Sequence, residues 1–258
     1  MSQRRPRLTP RVVVVLLAFA IAAYLVSAFA GGWGGAGGLV PPVSSAAGPT
    51  AGPTAVPTAV PTAGPALPAG PSATTAETLA VLASIPVKGR APKTGYDREG
   101  EFGNAWTDVD RNGCDTRNDV LARDLVATTL AGACRVVSGT LVDPYTATTI
   151  AFVRGETTSA LVQIDHVVAL SNAWQSGAQL LTREQRVALA NDPRNLLAVD
   201  GAANSSKGDG DAATWLPANT GFRCDYVSRQ VAVKAAYALW VTPAEHDAML
   251  RVLGTCPA

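Results

Sequence analysis

Leu161-Val162-Gln163-Ile164-Asp165-His166-Val167-Val168 is the stretch on which the reading of this chain turns. Its branched apolar residues predict a strand, and Asp165 interrupts the apolar run near its end. His166 follows at once, although the chain holds two histidines in all, His166 and His246. Successive strand residues face opposite sides, so Asp165 and His166 are expected to point apart. Two later segments extend the pattern: Asn195-Leu196-Leu197-Ala198-Val199, which reads as an amide leading a second strand, and Asn204-Ser205-Ser206-Lys207, which reads as part of a short helix.

These residue types suit metal-assisted phosphodiester hydrolysis. That reaction needs a base for water, a cation over the phosphate and leaving oxygen, and something to hold the base. Asp165 and Asn204 offer oxygen ligands to one hard divalent ion, Mg²⁺ or alternatively Mn²⁺. His166 is the expected base, since a neutral imidazole accepts a proton at physiological pH. Asn195 is expected to anchor the loop and the imidazole. Lys207, three residues after Asn204 on a helix, is expected on the same side and within reach of developing negative charge.

Upstream, the chain changes character. Residues 12–30 form a 19-residue run without charge, preceded by Arg4, Arg5, Arg7 and Arg11. A basic segment before an apolar run of that length predicts export, as a membrane anchor or a signal peptide. The Ala28-Phe29-Ala30 sequence resembles a cleavage site, whereas the length of the run favours an uncleaved anchor. Residues 31–75 are rich in Gly, Pro, Thr and Ala, with repeats such as Gly52-Pro53-Thr54-Ala55, and predict a spacer without a core. Residues 76–258 are the expected folded domain, extracytoplasmic and either tethered or secreted. In an exported domain its four cysteines read as two disulfides. Three connectivities exist, of which Cys114–Cys134 and Cys224–Cys256 are favoured because each staples neighbouring elements.

Charge excludes one class of protein. Four of the 21 basic residues lie in the N-terminal segment and all 20 acids lie from Glu77 onward, so the domain carries 17 bases against 20 acids, a formal −3. A strongly basic, non-specific nucleic-acid binder is thereby excluded. A zinc protease lacks its histidines, and no Gly-x-Ser-x-Gly elbow supports a serine hydrolase.

The element pattern is α+β and helix-rich. Helices are expected over residues 75–85, 115–130, 168–176, 182–190, 226–239 and 242–253. Strands are expected over 133–137, 149–153, 162–165 and 196–199. Asp108-Val109-Asp110-Arg111-Asn112-Gly113, with Asp119 at the twelfth position, has the opening of a calcium loop. It lacks the closing glutamate, and a rigid polar turn leading to Cys114 is the preferred reading.

As an ordered set, several segments resemble the HNH endonucleases, the ββα-metal nuclease group. They resemble in particular the branch found as the C-terminal domain of GmrSD-type restriction enzymes and in exported actinobacterial proteins. They are Ile164-Asp165-His166-Val167-Val168-Ala169-Leu170, Asn191-Asp192-Pro193-Arg194-Asn195-Leu196, Asn204-Ser205-Ser206-Lys207-Gly208-Asp209 and, upstream, Tyr96-Asp97-Arg98 and residues 102–117. The resemblance spans about residues 95–256 and implies a ββα core embedded in the α+β domain. It implies His166 as general base, Asp165 and Asn204 as ligands of one divalent metal, Asn195 as the motif's middle asparagine and Lys207 as the lysine after the final ligand. Ala169 stands where members often carry proline. The implied substrate is nucleic acid, DNA ahead of RNA, with Arg98 and Arg117 as candidate phosphate contacts. A non-catalytic envelope module keeping the same scaffold is the alternative.

Overall fold

The computed structural model describes residues 74–257. The expected export segment and nearly all of the expected spacer lie outside the described residues. Among the described residues, no helix is long and apolar enough to cross a membrane.

The domain is α+β. Helix α1 (Thr75–Ser84) opens with a capping box between Thr74 and Glu77. Helix α2 (Arg98–Phe102), which was not expected, buries Phe102. Helix α3 (Thr116–Asp124) is capped by the Asp115 side chain. Strands β1 (Val126–Ala131), β2 (Arg135–Val142) and β3 (Thr149–Val153) then form an antiparallel sheet in that order. Strand β4 (Val162–His166) is followed by α4 (Leu170–Gln175) and α5 (Arg183–Asn191), and then by β5 (Leu196–Asp200), which pairs antiparallel with β4. Helix α6 (Gly201–Lys207) follows β5 directly. Helices α7 (Arg223–Ala236) and α8 (Pro243–Leu253) close the chain.

One expected helix divides in two. Residues 115–130 are helical only to Asp124, and Leu125 turns extended with φ −93° and ψ 144°. Two tertiary demands outweigh helix propensity there. The Asp124 carboxylate accepts from Ala198 N at 2.8 Å, and the β-branched run beginning at Val126 pairs with β2. That pairing also extends β2 well beyond residue 137.

The β4–β5 pair lies between two parts of the core. On one face, Val162, Ile164, Leu196 and Ala198 join a cluster with Val120, Leu121, Val136 and Phe152. On the other, Leu197 and Val199 join Tyr145, Tyr226, Val231 and Met249. Strict alternation therefore sends Asp165 toward the tyrosine side and His166 toward the other. Helix α6 covers the Asp165 face. Its first residue must be glycine, because a Cβ at Gly201 would run into the Ala160 carbonyl oxygen.

Both disulfides form as expected. Cys114–Cys134 joins the loop before α3 to the β1–β2 turn, with Cα atoms 5.5 Å apart. Cys224–Cys256 joins the start of α7 to the end of the chain, with Cα atoms 5.8 Å apart.

Candidate active site

Among the described residues, strand β4 has β5 on one side and no strand on the other. A cleft of about 510 Å³ opens along it, bordered by Gln163, Asp165, His166 and Asn204 together with Arg98, Trp106, Arg117 and Asp209. The strand–strand–helix unit thus brings the acid, the histidine and the second asparagine to one wall. Asn195 and Lys207 lie behind it.

His166 is buried, and its Nε2 lies 2.8 Å from the Ala190 carbonyl oxygen. A carbonyl only accepts, so Nε2 carries the proton and the lone pair is on Nδ1. Among the described residues, nothing hydrogen-bonds Nδ1. Burial first, and then the charge of Arg98, push the imidazole pKa down to about 3, while the hydrogen bond to Ala190 opposes the shift. The Trp106 indole lies nearly parallel to the imidazole, at 17°, with ring centroids 6.4 Å apart.

Asp165 is held at both oxygens. Tyr145 donates its hydroxyl to Oδ2 at 2.5 Å, and Lys207 donates from Nζ to Oδ1 at 2.9 Å. Burial pushes this carboxyl up, while Lys207 and the Tyr145 hydroxyl pull it down. A carboxylate offers about four acceptor sites, so two remain. Asn204 donates from Nδ2 to Gln163 Oε1 at 2.7 Å, which leaves its Oδ1 as an uncommitted acceptor on the same cleft. Asp165 and Asn204 both border the cleft, and their oxygens are of the type that holds a hard divalent ion, with waters completing its shell.

Asn195 is fully buried and serves the backbone. Its Oδ1 accepts from Val168 N at 2.8 Å, and its Nδ2 donates to the Val168 and Leu189 carbonyls at 3.3 Å each. The amide pins the turn after His166 and also the helix carrying Ala190. Lys207 sits elsewhere than its spacing suggested. Its ammonium is enclosed between Asp165 Oδ1 and the His166 carbonyl at 2.7 Å, away from the cleft.

Arg98 is exposed at the cleft mouth. Arg117 donates to the Val162 carbonyl at 3.3 Å and lies 5.9 Å from the Trp106 ring centre. In residues 108–119, Asp108 and Asp110 accept from the Asn112 and Gly113 backbone, and the Asn112 amide bridges Asp110 and Asp119. The segment is a hydrogen-bonded turn leading to Cys114. Sequence reasoning gave no role to Tyr145, Gln163 or Trp106. Gln163 had a usable signal, since it lies two residues before Asp165 on the same strand face, whereas Tyr145 comes from a distant turn.

The fold and the cleft define a disulfide-bonded α+β domain that gathers an acid, a neutral histidine and an amide beside two arginines. The chain belongs to the family of the C-terminal domain of GmrSD restriction endonucleases, whose model matches residues 103–252. Every site residue discussed here except Arg98 lies inside that match. A relative from Arthroderma benhamiae, described as an uncharacterized secreted protein, is 39% identical over 194 residues, which is 74% of this chain and 90% of the relative. No solved structure matches the chain.

Proposed function

We propose that this chain is an exported, metal-dependent endonuclease of the HNH type that hydrolyses phosphodiester bonds in DNA. Family membership supports a nuclease-related role. The observation that carries the finer reading is the commitment of His166 Nε2 to the Ala190 carbonyl, at 2.8 Å, on the wall shared with Asp165 and Asn204. It leaves a neutral imidazole with one nitrogen able to take a proton from water. Burial, which lowers the pKa to about 3, keeps that nitrogen unprotonated at neutral pH. It also makes the base intrinsically weak, and the negative charge of an incoming phosphate offsets this by favouring the imidazolium.

A divalent ion, Mg²⁺ or Mn²⁺, bound by Asp165 and Asn204 would supply positive charge at the phosphate and the leaving oxygen. Tyr145 and Lys207 orient the Asp165 carboxylate, Gln163 orients the Asn204 amide, and Asn195 fixes the backbone that carries His166. Lys207 is in this reading a positioning residue. Arg98 and Arg117 contact substrate phosphates. Export follows from the N-terminal sequence and agrees with the secreted relative; residues 1–30 act as anchor or signal and 31–75 as spacer.

The test is nicking of supercoiled plasmid by the purified chain with Mg²⁺ or Mn²⁺. EDTA and His166→Ala should each abolish it. Equal nicking by His166→Ala protein would remove the proposed base. A wild-type chain that neither binds metal nor cuts DNA or RNA would leave the non-catalytic envelope module as the better reading.

A further inference from the structure

We infer that Trp106 is a stacking platform for an unpaired base, so that the cleft takes single-stranded DNA in preference to duplex. This rests on the nuclease reading above and adds its substrate class. Trp106 is half-buried: it packs against the cluster beneath the three-stranded sheet and also borders the cleft beside His166. Its backbone has φ 63°, a left-handed conformation that a bulky residue adopts only under constraint, at a cost of ~1–3 kcal/mol. The start of α3 supplies the constraint. Thr116 N donates to the Trp106 carbonyl at 3.4 Å, and Thr116 Oγ1 donates to the Thr107 carbonyl at 2.6 Å. The fold thus holds an indole, under strain, within one ring's reach of the proposed base.

Charge decides what such an indole is for. Duplex binders draw affinity from neutralising many phosphates. Here the cleft offers two arginines, Arg98 and Arg117, with Asp165 already paired to Lys207, and the proposed divalent ion would serve one phosphate; no longer basic track borders the cleft in a domain of net −3. Base stacking on an aromatic ring contributes ~1–3 kcal/mol without needing charge. A duplex must first extrude the base, at a cost of a few kcal/mol, about what the stack returns. A single strand carries no such cost, so stacking on Trp106 favours it.

The test is a set of anisotropy titrations of the full chain with a labelled 12-nucleotide strand and its duplex, with Ca²⁺ as the divalent ion and cleavage checked by gel. The single strand should bind at least ~10-fold more tightly, and Trp106→Ala should weaken that binding ~5–100-fold. Trp106→Phe should keep most of it, and duplex binding should change little. Strands carrying one abasic site repeat the test without altering the protein: at one position the loss should match that of Trp106→Ala. Duplex binding as tight as single-strand binding, or abasic strands that all bind like intact ones, would overturn the inference. Preference for an RNA strand over the DNA strand would overturn its DNA part. Cleavage of the single strand that shows no dependence on Trp106 would remove this inference alone. Trp106-dependent binding without nicking would remove the nuclease reading alone.

Discussion

Lys207 Nζ lies 2.9 Å from Asp165 Oδ1, and neither side chain is exposed by more than 5%. One ammonium therefore ties α6 to the last two residues of β4, because it also binds the His166 carbonyl. Removing it alone leaves a carboxylate in a place that burial penalises, at a cost of ~3–5 kcal/mol. Lys207→Met should lower the melting temperature by ~6–20 °C, at ~2–4 °C per kcal/mol for a domain of this size. Adding Asp165→Asn should restore part of the loss. Thermal unfolding of the single and double variants measures this, and a double variant no more stable than Lys207→Met would show that the pair is not coupled.

Asn195 reaches no cleft atom, yet its amide fixes Val168 N and the Leu189 carbonyl. Asn195→Ala strands these buried groups and should cost ~1–3 kcal/mol. It should also reduce kcat ~10–100-fold, the usual penalty for losing a group that orients a reacting one. KM should change far less, because no phosphate contact is lost. Steady-state kinetics on an oligonucleotide separates the two, and a pure KM effect would contradict a positioning role.

Gly201 tests the placement of α6 without touching a proposed ligand. Any Cβ there meets the Ala160 carbonyl oxygen in the turn before β4, so Gly201→Ala must push the start of the helix away from that turn. Overpacking of this kind costs ~1–3 kcal/mol. The shift carries Asn204 and Lys207 with it, and Mn²⁺ affinity measured by calorimetry should fall ~10-fold or more. Unchanged affinity in a destabilised Gly201→Ala protein would mean that Asn204 is not a ligand.

The order of the site was legible in the chain, because strand alternation around Asp165-His166 and the asparagine positions are local patterns. The pairing of β4 with β5 and the separate faces of Asp165 and His166 agree with it. The direction of Lys207 was not legible. Residues three apart on a helix differ by about 60° in direction, enough to set Asn204 on the cleft rim while Lys207 turns inward to Asp165. Tyr145 was invisible because it arrives from a turn 20 residues before Asp165. The end of α3 is not legible either, because its stop is set by the bond from Ala198 N to Asp124, 74 positions apart.

Acidification should expose the burial of His166. Its folded pKa of about 3 lies below the ordinary imidazole value of 6.5, so between those values the unfolded chain binds the proton more readily than the folded one. Stability from keeping His166 neutral is fully present above pH 6.5 and is lost progressively as pH falls toward 3. Urea unfolding of wild type and His166→Phe across pH 7 to 4 isolates this contribution, since the carboxylates are common to both. The stability gap should shift steadily in favour of the variant as pH falls. A pH-independent gap would mean that the imidazole is not held neutral by burial.

The two disulfides should separate stability from catalysis. Each closes a loop, of separation 20 for Cys114–Cys134 and 32 for Cys224–Cys256, and chain entropy alone assigns each ~3–4 kcal/mol. Replacing either pair by serine should therefore lower the melting temperature by a similar amount, ~6–16 °C. Their effects on cleavage should differ. Cys224–Cys256 fastens α7 to the last residues described, and neither cysteine borders the cleft, so its loss should leave kcat and KM unchanged well below the melting temperature. Cys114–Cys134 anchors the segment that carries Trp106 and Arg117, both on the cleft wall. Its loss should raise KM for oligonucleotides several-fold while leaving kcat near wild type, because Asp165, His166 and Asn204 stand on β4 and α6. Kinetics of the two double-serine variants at 20 °C measure the contrast, and an unchanged KM on loss of Cys114–Cys134 would show that the Trp106 segment is held by its hydrogen bonds to α3 rather than by the disulfide.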